Sequence, residues 1–216
     1  MLPVRDTIRS RRVPFVTIGL IAINILIYVY QNNMTIREMN EFIYAFAVVP
    51  SLGLSQPWRL ITAGFLHGGW GHLLGNMLYL WIFGDNVEDE VGHVKFILFY
   101  MLMLILASFA QILSDTSSMI PVIGASGGVA GILGAYFVLY PYSKVITFVP
   151  ILLFRFVHIP ASVYLIFWFG LQFLSGITAD PTAASVAWWA HIGGFIAGMI
   201  VIKFLRPPPR KYYYYE

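Results

Sequence analysis

Gly124-Ala125-Ser126-Gly127-Gly128-Val129-Ala130-Gly131 sets a serine among small residues where a loop gives way to an apolar run. Glycines let a substrate or another backbone come close to the hydroxyl. In the first turn of a helix the Ser126 N–H is an unpaired donor, and the helix dipole favours negative charge there. A nucleophile beside free N–H donors suits acyl transfer, in which an oxyanion forms next to the serine. The plainer alternative is a small-residue packing face at a helix start. The stretch also satisfies the Gly-x-Ser-x-Gly elbow of soluble hydrolases, but that elbow needs a buried strand before the serine. The surrounding sequence does not read as one.

The elements that must carry Ser126 follow from composition. Of 216 residues, 59% are hydrophobic and only 11% charged, against about 25% charged in a soluble domain. With a mean hydropathy of +0.76, the chain cannot hide its apolar surface in a single core, so its solvent is the bilayer. There is no cysteine, which excludes disulfides and thiol chemistry. The net charge of +3 needs no nucleic acid to explain it. The first apolar run lacks a small-residue cleavage site and reads as a retained span.

The expected architecture is all-α, a polytopic bundle of six transmembrane helices. Residues 1–14 form a basic, cytoplasmic N-terminus, residues 15–205 the membrane domain, and residues 206–216 a cytoplasmic Pro/Tyr-rich tail, its tyrosines at the interface. The spans are read at residues 15–31, 72–83, 94–113, 126–140, 161–176 and 187–205, the first a nearly unbroken apolar run of about bilayer length. Residues 32–71 are too polar to cross and too apolar to float free, so they read as a long interfacial loop. Residues 145–159, interrupted by Pro150, Arg155 and His158, read as an interfacial or re-entrant piece. With the N-terminus inside, eleven of the thirteen Lys and Arg residues lie on the cytoplasmic side. Only Arg37 and Arg59 lie outside, a strong positive-inside bias.

In this topology His72 and Asn76 open the second span, Ser126 the fourth and His191 the sixth. All three helices run from outside to inside, so the four polar residues share one depth in the outer half of the membrane. Such residues face partners or water. Ser126 with His191 makes a nucleophile and a general base. His72 and Asn76, spaced i, i+4 on one face, are placed to donate toward an oxyanion. No acid is placed to orient His191; Asp180 lies eleven residues earlier, in a loop. Taken singly, His191 reads equally as a histidine bonded to a backbone carbonyl, and His72 and Asn76 as glue between helices. Gly127-x-x-x-Gly131, extended by Ala135, and Gly194-x-x-x-Gly198 are faces on which the fourth and sixth helices can touch backbone to backbone.

Together these residues resemble the rhomboid family of intramembrane serine proteases. The resemblance rests on Trp58-Arg59, on His67-Gly-Gly-Trp-Gly-His72-Leu-Leu-Gly-Asn76, on Gly124-Ala125-Ser126-Gly127 and on Ala190-His191-Ile192-Gly193-Gly194. Glu88 matches a glutamate closing the second helix. The resemblance implies a six-helix fold, a Ser–His dyad, and cleavage of single-span transmembrane proteins near their outer ends. It also implies an outward-opening water-filled cavity and lateral admission of substrate near the fifth helix. Arg59 and His67 would be structural in the first loop. Both termini would be cytoplasmic, in a prokaryotic inner membrane, with lipid around the bundle and no metal or cofactor. One departure is Ala130, where some members place an aromatic under the histidine ring; Trp188 or Trp189 would have to serve instead. The alternatives are an inactive rhomboid-like binding or quality-control protein and a small transporter, although no internal repeat is present. A metal enzyme using His67, His72 and His191 would lack a His-Glu-x-x-His pattern.

Overall fold

A computed structural model describes residues 2–149, 155–180 and 186–206. Its elements are β1 (Leu2–Asp6), α1 (Phe15–Asn32), α2 (Ile36–Phe46), α3 (Arg59–Thr62), α4 (Trp70–Val91), α5 (His93–Ser114), α6 (Ser126–Leu139), β2 (Lys144–Val149), β3 (Arg155–Pro160), α7 (Ala161–Thr178) and α8 (Trp188–Leu205). The tail expected at 206–216 lies outside the described residues beyond Arg206, as do Pro150 and Pro181.

The molecule is mostly helical and built around α6. All ten residues from Gly127 to Tyr136 are buried, and α6 forms its most extensive contact with α8. Among the described residues, four helices, α1, α5, α7 and α8, are long and apolar enough to cross a membrane. Helix α6 has only 14 residues, about 21 Å at 1.5 Å per residue. Helix α4 continues past its apolar part through Asp85, Glu88, Asp89 and Glu90.

Glu88 explains why α4 extends so far. Helix α1 starts after Pro14 without a side-chain cap of its own. The Glu88 carboxylate accepts from the backbone N–H of Val16 (2.9 Å) and Thr17 (2.8 Å) and from the Thr17 hydroxyl (2.7 Å). An anion at a helix N-terminus meets unpaired donors and the positive end of the dipole. His93 Nδ1, 2.6 Å away, completes the site. Between α4 and α5 the chain turns at Gly92, whose φ of +83° suits a residue without a Cβ.

The segment between α1 and α4 is folded. Helix α2 begins with a capping box between Thr35 and Glu38. Arg59 Nη1 donates to the Ala47 carbonyl at 3.4 Å, in keeping with a structural role in this segment.

Two expectations need correction. The fold is not all-α, and the described parts of the piece read as interfacial or re-entrant, residues 145–149 and 155–159, are strands. Strands β1, β2 and β3 form an antiparallel sheet in that order, with Val145 opposite Ile159 and Asp6 opposite Val145. The β-branched and aromatic run Val145-Ile146-Thr147-Phe148 suits a pleated surface. Its other partner comes from the N-terminal segment, some 140 positions away, which local periodicity does not reveal. The basic N-terminus is therefore tied down rather than free: the Asp6 carboxylate accepts from Asn86 Nδ2 (2.9 Å) on α4 and from the Tyr136 hydroxyl on α6.

Candidate functional site

Ser126 is the first residue of α6. The loop that delivers it is anchored by the Gly124 N–H, which donates to the Ala63 carbonyl at 2.9 Å. Gly124 has a φ of +123°, a conformation L side chains rarely adopt. A Cβ there would also come within 2.7 Å of His72 Nε2 and 3.6 Å of Ser126 Oγ. The glycine thus lets the His72 ring and the Ser126 hydroxyl approach the same point. Both line a cavity of about 660 Å³, together with Gln111, Asp115, Asp180 and Trp188.

His191 sits in the first turn of α8 and is 7% exposed. Gly127, next to Ser126, and Ala190, next to His191, face each other: a Cβ on Gly127 would stand 3.9 Å from both the Ala190 Cβ and its carbonyl oxygen. One turn further, a Cβ on Gly194 would collide with the Gly127 carbonyl oxygen, and one on Gly198 with that of Gly131. The small-residue faces thus meet backbone to backbone, in a register that sets Gly194 against Gly127 and Ala130. His191 Nε2 is buried and has no hydrogen-bond partner among the described residues.

The histidine is held by residues the sequence reading did not single out. Gln172 Oε1, on α7, lies 2.7 Å from His191 Nδ1. The Trp168 ring lies 6.0 Å from the imidazole at a 33° tilt, and Trp188 meets it edge-on at 6.1 Å. Of Trp188 and Trp189, the two tryptophans that the sequence offers for this place, Trp188 meets the ring; nothing in the sequence alone singles out Trp168 or Gln172. The available signal was their i, i+4 spacing, which puts an indole and an amide on one face of an apolar helix.

His72 and Asn76 share a face of α4 but have different surroundings. His72 borders the cavity. Asn76 is buried, and its Nδ2 lies 3.0 Å from His67 Nε2. Burial, with His72 nearby, pushes the pKa of His67 down to about 4. The ring is therefore neutral at pH 7 and can accept from the Asn76 amide. Gln31 of α1 pins the His67 backbone, its Oε1 accepting from the N–H at 3.1 Å and its Nε2 donating to the carbonyl at 3.3 Å.

With this geometry in view, residues 54–208 match the sequence profile of the Rhomboid domain, well over half of the chain. The chain belongs to the rhomboid family. Its apolar helices and this membership make it an integral membrane protein of a family that includes intramembrane serine proteases. This rhomboid is 32% identical to RHOMBOID-like protein 4 of Arabidopsis thaliana over 70% of its own length and 35% of that relative's. It is 27% identical to Rhomboid protein 1, mitochondrial, of Saccharomyces cerevisiae over 74% of its length and 45% of the relative's. With Rhomboid protease GluP of Bacillus subtilis it shares 36% identity over 56% of its length and 24% of the relative's. The rhomboid described here thus spans less than half the length of these relatives.

Proposed function

We propose that this rhomboid is an intramembrane serine endopeptidase that cleaves single-span transmembrane proteins near the outer membrane face with a Ser126–His191 dyad. The observation that carries the reading is the α6–α8 contact. Gly127 against Ala190 sets the first residue of α6 beside the first turn of α8, with an imidazole nitrogen there that has no partner among the described residues. Six helices cross the bilayer, α4 and α6 completing the set. Both termini lie in the cytoplasm, most of the Lys and Arg residues with them, in a prokaryotic inner membrane. The segment of residues 32–71 rests at the outer interface, and the domain limits are residues 1–14, 15–205 and 206–216. The short α6 starts below the membrane surface, so the cavity above Ser126 brings water to the scissile bond.

In this mechanism His191 Nε2 takes the Ser126 proton as Oγ attacks the substrate carbonyl carbon. The oxyanion of the tetrahedral intermediate meets the Ser126 N–H, His72 and the second N–H of the Asn76 amide. The imidazolium then protonates the leaving amine, and water hydrolyses the acyl-enzyme by the same proton path. The test is proteolysis of single-span substrates by the purified protein in lipid. Ser126→Ala and His191→Ala are each expected to abolish cleavage while leaving the protein folded. A Ser126→Ala protein that cleaves at the wild-type rate would refute the dyad. A folded wild-type protein that cleaves nothing and resists fluorophosphonate labelling would favour the inactive, substrate-binding alternative.

A further inference from the structure

Gln172 is a buried primary amide in a helix whose other large side chains are apolar or aromatic. A polar side chain at such a position is expensive unless both ends of it are used. Both are: Nε2 donates to the Trp168 carbonyl four residues earlier at 3.4 Å, and Oε1 faces His191 Nδ1 at 2.7 Å. The bond to Trp168 settles which way round the amide lies. Because an amide oxygen only accepts, Nδ1 carries the imidazole proton, and Nε2 carries the lone pair. Nε2 is the nitrogen left without a partner among the described residues. The indoles of Trp168 and Trp188 flank the same ring, so its tilt is constrained as well as its tautomer.

We propose that Gln172 is a positioning residue for His191, holding the Nδ1–H tautomer and leaving Nε2 free to take the Ser126 proton. The proposal rests on the Ser126–His191 reading. Gln172 fills the place that an acid fills in soluble triads, where the third group orients the histidine. Here the orienter is neutral, and it stands on a different helix from both dyad members. Helix α7 contacts α8 far more than α6, and it turns Ile166, Phe167, Leu171 and Leu174 outward. The Gln172–His191 bond is therefore a tie across the α7–α8 interface, and the base is oriented only while α7 is seated against α8.

The experiment is steady-state cleavage of a single-span substrate by the full chain in liposomes, across pH. Gln172→Met keeps the volume and removes the acceptor. It is expected to lower kcat by about 10- to 100-fold, the range that loss of an orienting partner costs at metal-bound histidines, with KM within about twofold. Gln172→Glu keeps the shape and adds a carboxylate beside the imidazole, which favours imidazolium. It is expected to move the acid limb of kcat/KM to higher pH while retaining more activity than Gln172→Met. Simple glue between α7 and α8 would change thermal stability and leave that limb where it is. Wild-type kcat in Gln172→Met, or an unmoved acid limb in Gln172→Glu, overturns the proposal. Ser126→Ala, measured in parallel, separates the two readings. Residual cleavage there defeats the dyad itself, whereas an inert Ser126→Ala beside an unimpaired Gln172→Met defeats only the role of Gln172.

Discussion

Gly194 in α8 lies against the carbonyl oxygen of Gly127 in α6, with no space between them for a Cβ. Any side chain at 194 must push the two helices apart, since the obstacle is backbone and cannot rotate away. Gly194→Leu should still insert, because Leu favours the membrane, but overpacking should lower its thermal stability. A shift near 1 Å between α6 and α8 should cost on the order of 10²-fold in cleavage rate. Ile200→Leu, at a half-exposed position of the same helix, is the control and should change neither. Full activity in Gly194→Leu would refute this route of assembling the dyad.

His72 and Asn76 should separate in a mutational comparison. His72 borders the cavity beside Ser126, whereas Asn76 also supports His67. His72→Ala should lower kcat with little change in Tm. Asn76→Ala should lower both, because it leaves the buried His67 ring without its donor. Loss of one oxyanion donor costs about 2.7–4 kcal/mol in a well-studied soluble protease; the other donors should reduce that figure here. Equal Tm losses in the two variants, with activity falling only in proportion, would assign both residues to packing.

Glu88 should matter for stability rather than for chemistry. Its carboxylate serves two N–H donors and a hydroxyl at the start of α1, far along the chain from Ser126. Glu88→Ala leaves those groups unpaired and should cost about 3 kcal/mol or more. Glu88→Gln keeps one acceptor oxygen and should cost less. Thermal unfolding in lipid measures this, and an unchanged Tm in Glu88→Ala would contradict the capping role.

Asp6 should make stability depend on pH in the direction opposite to an ordinary ion-paired carboxylate. Burial lifts its pKa to about 6, the Tyr136 hydrogen bond opposes this, and the charge of Asp85 adds to it. The folded protein then holds the Asp6 proton more tightly than the unfolded chain does. The resulting stability is complete below pH 3.8 and is lost as pH rises through about 6. His67 acts oppositely, since its lowered pKa removes stability as pH falls from 6.5 toward 4. Asp6→Asn isolates the first effect: the variant's Tm should gain on the wild type's between pH 5 and pH 7. A constant difference across that range would show that Asp6 does not titrate there.

The membrane class, the helical runs and the four polar residues at helix starts were legible because each is a local property. Apolar length marks a span wherever it occurs, and Ser126, His72, Asn76 and His191 stand out because polar groups in such spans are costly. The glycine faces of α6 and α8 were legible for the same reason: spacing alone places small residues on one side of a helix. Their register was not. Whether Gly194 meets Gly127 or Gly131 depends on how far the two helices slide past each other, and no local rule sets that. The sheet escaped local reading too, since β2 pairs with a strand about 140 residues earlier. Gln172 is the clearest case. In the sequence it is one amide in an apolar helix; only the approach of α7 to α8 brings its oxygen to His191, because a hydrogen bond between helices is decided by tertiary packing.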